Sequence, residues 1–459
     1  MLRGREAVVR VVTYNLLSPA LSAPEWFPFC AREAVEPRAR FERIVNKLRT
    51  KVEENAVICL QEVPMQWSGP LHSFFAQHSY TMIDSLYGNS FSGYMGVAVA
   101  FPSRLYSLQD CDIVTVADTK QWAPPRTKSS SSSSSALTSA KSWGSWIQSL
   151  WLMRAARSVT RVATSTIKAS VLWLLAPLLF VVRAVLPTPA KNPWDEAKSR
   201  RNTMITVQLS CARVVRADSD STSSSSSSSS SASDGSIRSE GSGVRSLQHS
   251  FLVGVYHMPC AFYLPPMMTI HSMLAAQHMQ RLARKAGGIP LILAGDFNIK
   301  PSDYMYQLLT TNEPDLQNPA HIVPTASWDS WRPQLEYPLR SAYGVTRGEP
   351  EFTNYARSRD APVPFIGTLD YIFVSPQCHV IATDKLCSLD MARERGPRPT
   401  VQEPSDHLML AADIAIPGTP LHTSIYPFIH PSLILRVVCV WCGVAIDDLE
   451  PPTSSTSSK

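Results

Sequence analysis

The chain offers no disulfide framework. Its nine cysteines are scattered over 459 residues, and no apolar signal region follows Met1-Leu2-Arg3. Reduced thiols in an intracellular, cytoplasmic setting are therefore expected. The one close pair, Cys439-x-x-Cys442, lacks a second pair or a Cys/His partner at zinc-finger spacing, which leaves two buried thiols as the simpler reading. A full membrane span is missing too, because the uncharged stretch Ala169 to Val182 has only fourteen residues and contains Pro177, where about twenty are needed. No leucine-rich repeat precedes the motifs described below, so neither a complex built through such repeats nor an obligate protein partner is expected. Excess charge is absent from most of the chain. The net charge is +6, yet residues 120–201 hold thirteen Lys or Arg against two acids, a local excess of eleven that leaves the remainder at −5. This weakens the argument for a general polyanion binder and points to a local anionic partner for that segment.

That segment is also distinct in composition. Ser129 to Ser135 and Ser223 to Ser231 are serine tracts that cannot bury a core. Between them come Trp143, Trp146 and Trp151, a stripe of Arg154, Arg157, Arg161 and Lys168, and the apolar run already noted. Two readings stand: peripheral contact with a membrane through 143–186, or a helical hairpin packed on the domain. The expected organisation is a catalytic domain in two parts, 1–125 and 200–417, interrupted by an insertion at 126–199. A Ser-rich loop lies at 218–246 within the second part, and an apolar segment with a Ser-rich tail follows at 418–459.

The central stretch is Leu291-Ile292-Leu293-Ala294-Gly295-Asp296-Phe297-Asn298, a short buried strand with a Gly that lets the backbone turn before Asp-x-Asn emerges. A carboxylate and a carboxamide two residues apart can orient a water and hold a phosphate oxygen, although Gly-Asp-x-Asn is also an ordinary turn. Val8 to Thr13 reads as a strand delivering Asn15, and Val57 to Leu60 as one delivering Glu62, which is placed either to bind a hard cation or simply to be solvated. Phe41, Ile44, Val45, Leu48 and Val52 predict an amphipathic helix over Arg38 to Glu54. Asn202 to Leu209 and Phe251 to Tyr256 predict strands, the second ending on His257 with Pro259 blocking continuation, so that its ring points toward Asp296 or serves the core. Pro265 to Lys285 and a shorter segment from Met305 predict helices. Phe352-Thr353-Asn354-Tyr355, Phe365 to Val374 and Pro404-Ser405-Asp406-His407 complete the set, and adjacent Asp406 and His407 must face opposite ways in extended chain.

Asn15, Leu60-Gln61-Glu62, His257, Gly295-Asp296-Phe297-Asn298, Leu369-Asp370-Tyr371 and Ser405-Asp406-His407 together resemble the ordered motifs of the endonuclease/exonuclease/phosphatase superfamily, the deoxyribonuclease-I-like fold. Within it the 352–373 and 405–408 stretches are most similar to the deadenylase, nocturnin and Angel branch. The resemblance implies an α+β class fold, a four-layer α/β/β/α sandwich carrying the long insertion. It implies Mg²⁺, with Mn²⁺ as a substitute, held by Glu62 with Asn15 and Asp406. It further implies Asp296 at the attacking water, Asn298 at the phosphate, His407 at the scissile phosphate, Asp370 orienting it, and His257 at the leaving oxygen. Asn354 and Phe365 are the expected substrate contacts. Ile366 stands where a Lys is common. The expected activity is phosphodiester hydrolysis, with RNA as substrate and nucleic acid as partner. A lipid or inositol-phosphate substrate at a membrane surface and a non-catalytic binding module are the alternatives.

Overall fold

A computed structural model describes residues 6–123, 191–216, 244–360 and 363–420. The strand and helix signals fold into two mixed sheets. The first has strand order β13-β14-β1-β2-β4-β3, built from β1 (Glu6–Asn15), β2 (Val57–Val63), β3 (Tyr80–Leu86), β4 (Gly96–Pro102), β13 (His379–Thr383) and β14 (Leu410–Pro417). The second runs β5-β6-β7-β8-β12-β9, from β5 (Ser107–Thr115), β6 (Thr203–Arg216), β7 (Val244–His257), β8 (Leu291–Asp296), β9 (Arg340–Ser341) and β12 (Asp370–Val374). A two-stranded ribbon joins β10 (Asn354–Ala356) to β11 (Phe365–Gly367). β2 and β8 are buried along their whole length, which is why they read as unbroken apolar runs rather than alternating ones.

Alternation within the other strands decides where the core sits. Val9, Val11, Val99, Val207, Val253, Val255, Ile292, Ile372 and Ile414 form one apolar layer shared by the two sheets. The opposite face of the first sheet packs under α2 (Pro37–Glu53) and α3 (Met65–Gln77), following α1 (Arg32–Val35), with Ile44, Leu48, Trp67 and Leu71 in contact with Val12 and Ile58. The opposite face of the second packs under α4 (Pro193–Ser199), α5 (Pro265–Lys285) and α6 (Tyr304–Thr311), where Met267, Met268, Met273 and Met279 fill the layer. This is the four-layer α/β/β/α sandwich.

Residues 193–199 close the expected insertion 126–199. They form α4, which buries Ala197 in the helix layer and offers its carbonyl to His271 Nε2 at 2.9 Å. Lys191, Lys198, Arg200 and Arg201 carry the basic run through this stretch while its apolar side chains do the packing. Lys120 fixes this corner: its ammonium bonds Asp329 at 2.7 Å and lies 5.5, 5.6 and 5.5 Å from the ring centroids of Trp122, Trp194 and Trp331. Such a cation is stabilised both by the carboxylate and by the negative faces of three rings.

The compact unit holding both sheets comprises Met1–Cys211 and His249–Gly418. A second unit, Ala212–Gln248 with Thr419–Lys459, contains the pairing of β15 (Thr419–Pro420) with Gln248 and Leu247. The seven cysteines within the described residues are free. No helix among the described residues is long and apolar enough to cross a membrane. The 143–186 element, the serine tracts and Cys439 and Cys442 lie outside the described residues.

Candidate active site

Strand register builds the site. In the second sheet β7 and β8 run parallel with His257 opposite Asp296, and β8 and β12 antiparallel with Asp296 opposite Asp370, so three titratable side chains stand in one row at the sheet edge. In the first sheet parallel β1 and β2 bring Asn15 opposite Gln61, with Glu62 next in line. Backbone conformation then aims the groups. Glu62 has φ 54° and Asn298 φ 52°, and Gly295 at φ 154° sits so close to β7 that a Cβ there would lie 1.8 Å from the Tyr256 carbonyl oxygen. Only glycine fits.

The two sheets meet at Asp296. Its Oδ1 accepts the Asn298 N–H at 2.9 Å, so the Asp-x-Asn turn expected from local chemistry does form. Its Oδ2 accepts Asn15 Nδ2 at 3.0 Å and faces His257 Nε2 at 3.6 Å and His407 Nε2 at 3.7 Å. The turn and the polar cluster are thus one structure. Asn298 Nδ2 donates to the Met258 carbonyl at 2.9 Å, using one of its two hydrogens. Burial pushes the Asp296 carboxyl above its ordinary value, against the pull of the His407 charge.

The two histidines are held differently. His257 is anchored by the Tyr87 hydroxyl, 2.7 Å from Nδ1, and burial lowers its pKa below the usual 6.5 although Asp296 pulls the other way. Burial also opposes charge on His407, but Asp370, Asp406 and Asp296 together outweigh it and raise that pKa well above 6.5. Asp370 Oδ2 lies 2.8 Å from His407 Nδ1 and accepts the Thr353 hydroxyl at 2.6 Å. A neutral and a charged imidazole therefore flank one carboxylate.

Asp406 lines the same cleft as His407, and its charge reaches Glu62. Its Oδ2 accepts Asn354 Nδ2 at 3.0 Å. Its Oδ1 is buried with no partner among the described residues. Glu62 accepts Asn15 Nδ2 at 3.1 Å and the Ser18 N–H at 2.8 Å, and its carboxyl is raised first by burial and next by the charge of Asp406. Two buried carboxylates repelling each other, one with a free oxygen, fit a divalent cation chemically. Asp296, Asp370 and His407 also offer one ligand atom each within 4.8 Å. There the His407 Nδ1 is already engaged with Asp370, and the imidazolium proton supplies the positive charge.

These groups line a cleft of about 890 Å³, together with Phe91, Ser199, Arg200, Arg201, Phe262 and Phe365. Phe365 is half-buried, stacks on Phe262 at 6.4 Å with 29° between the rings, and lies 5.1 Å beneath the Lys300 ammonium. All ten residues singled out in the sequence thus line or directly support one cleft. Tyr87, Ser18 and Thr353 escaped sequence reasoning because a Tyr or Ser in a loop carries no signal until the fold brings its partner near.

The family model described as "Endonuclease/Exonuclease/phosphatase family" matches residues 12–407. The chain belongs to the endonuclease/exonuclease/phosphatase family. It is 36% identical over 128 residues to "Carbon catabolite repressor protein 4 homolog 4" of Arabidopsis thaliana, covering 28% of this chain and 27% of that one. It is 31% identical over 134 residues to "2',5'-phosphodiesterase 12" of Bos taurus, covering 28% of this chain and 20% of that protein. The matched stretches therefore span about a quarter of these relatives' length. A solved structure of ANGEL2, described as a 2',3'-cyclic phosphatase, superposes on 90% of this chain and 97% of its own with TM-score 0.54 and 15% identity, which shows the shared fold.

Proposed function

We propose that this family member is a Mg²⁺-dependent phosphodiester hydrolase acting on RNA. The observation that carries the reading is the Asp296 carboxylate standing 3.6 Å from His257 Nε2 and 3.7 Å from His407 Nε2, beside the buried Glu62 and Asp406 carboxylates. Glu62 and Asp406, with Asn15 orienting the first, would hold the cation, and a bound divalent ion supplies neutralisation of phosphate charge. Asp296 accepts a hydrogen bond from the attacking water and draws off its proton. His407, kept protonated and oriented by Asp370, donates to a phosphate oxygen as negative charge builds on it. Asn298 offers its second N–H to the same phosphate. His257 stands on the leaving-group side, where the Tyr87 hydroxyl holds its ring in place.

RNA is favoured by the Phe262–Phe365 pair on the cleft wall, since a stacked base contributes about 1 to 3 kcal/mol on such a platform. The relatives support the same chemistry, one being named a 2',5'-phosphodiesterase. The test is to incubate purified protein with Mg²⁺ or EDTA and oligoadenylate, mixed-sequence RNA, sphingomyelin or phosphoinositides. Mg²⁺-dependent release of nucleotides is the expected result. Hydrolysis confined to a lipid headgroup would replace RNA by the lipid alternative, and no hydrolysis of any substrate would sink the enzyme reading.

A further inference from the structure

Arg40 lies on α2, yet it is completely buried. Its spacing puts it on the buried stripe with Ile44, Leu48 and Val52, while its charge alone would hand it to solvent. Its guanidinium makes four hydrogen bonds, and none goes to a carboxylate. Nη2 donates to the Leu16 and Leu17 carbonyls, both at 2.6 Å, Nη1 to the Ser22 hydroxyl at 2.6 Å, and Nε to the Pro404 carbonyl at 2.7 Å. The plane of the group rests 5.5 Å over the Trp67 ring. A buried charge without a bonded counter-ion is costly, so the fold needs a reason to keep it.

The acceptors supply the reason. Leu16 and Leu17 follow directly from Asn15, and Leu17 holds φ 54° while its N–H closes on Asn15 Oδ1 at 2.9 Å. The next amide, Ser18 N–H, is the one that bonds Glu62. Pro404 precedes Ser405, whose hydroxyl bonds the Asn15 carbonyl at 2.7 Å, and Asp406 follows. One planar fork therefore ties together the two loops that carry Asn15 and Asp406 and that brace Glu62. Arginine can do this and lysine cannot, because the donors are fixed in a plane and point outward at set angles. Asp406 and Glu62 are also the carboxylates whose field reaches the guanidinium.

We propose that Arg40 is a positioning residue for the cation site: it fixes the spacing of Asn15, Glu62 and Asp406, and its charge offsets their mutual repulsion. This rests on the cation reading given above. The test compares full-length wild type with Arg40→Lys and Ser22→Ala, measuring Mn²⁺ affinity by electron paramagnetic resonance without substrate, melting temperature, and the Mg²⁺ dependence of hydrolysis. Arg40→Lys keeps the charge and loses the fork, so its Mn²⁺ dissociation constant should rise about tenfold or more, as for other residues that brace metal ligands. Much of the lost turnover should return at high Mg²⁺. Ser22→Ala removes one bond of the four and should shift Mn²⁺ affinity a few-fold in the same direction; if Arg40→Lys does not fold, this variant decides. Folded variants that bind Mn²⁺ like wild type would overturn the inference even if their melting temperatures fall. Wild type that binds no Mn²⁺ would instead overturn the cation reading itself.

Discussion

Gly295→Ala should damage activity and stability together, through a single contact. The added Cβ would sit 1.8 Å from the Tyr256 carbonyl oxygen, whereas ordinary contact begins at 3.4 Å, so β7 and β8 must part by about 1.6 Å at that register. The backbone cannot swing away, because φ 154° is a region that alanine avoids at a cost of about 1 to 3 kcal/mol. The next pair in the register is His257 opposite Asp296. Their Nε2–Oδ2 separation is 3.6 Å, and displacement of this size at reacting groups commonly costs about a hundredfold in rate. The assay is single-turnover hydrolysis normalised to folded protein, alongside thermal unfolding. Turnover should fall by about 10² or more, and the melting temperature by several degrees. A variant with wild-type melting and wild-type turnover would refute the claim that close approach of these strands sets the site.

Asp296→Ala and His407→Ala should each lower turnover by at least roughly 10², and Glu62→Ala should do so while also weakening Mg²⁺ binding; activity retained in all three would exclude the assigned roles. Phe365→Ala should raise KM for RNA and leave hydrolysis of a small chromogenic phosphodiester nearly unchanged, whereas equal losses on both would make it a packing residue. His271, buried between the Tyr256 hydroxyl and the Ala197 carbonyl, is lowered by burial to about 4. It folds neutral and must take up a proton when the chain unfolds below pH 6.5. Its contribution is therefore present above pH 6.5 and is lost as pH falls toward 4, by up to about 3 kcal/mol. Denaturant unfolding of His271→Gln between pH 7 and 4 should show a flatter acid limb than wild type, and an identical slope would contradict the account.

Strands buried on both sides announced themselves. Val57–Val63 and Leu291–Asp296 read as apolar runs ending in polar residues, and Pro265–Lys285 was legible to its last residue because Pro opens it and basic residues close it. The edge strand Ser107–Thr115 was not, since its pattern is largely exposed and polar. Met65–Gln77 hid behind Pro70 and a weak amphipathic stripe, and Arg340–Ser341 is too short to have any period. Six ordered motifs pointed to the site, because each sits at a strand end where the chain must turn. What supports them was silent. Arg40 shares a stripe with Ile44, Leu48 and Val52, but spacing does not tell what its charge would bond, and Thr353 looks like an ordinary strand Thr; only distant partners give either a purpose.

The cage around Lys120 has a consequence for how freely this molecule can vary. Trp122 lies just before the segment between residues 123 and 191, and Trp194 just after it, and both close on the same ammonium. One ammonium thus rivets together two stretches that are far apart in sequence. A substitution at Lys120 would therefore loosen both flanks at once and leave the Asp329 carboxylate without its ammonium partner. Neither flank can shift without the other, so variation at Trp122 and at Trp194 is tied to one side chain between them.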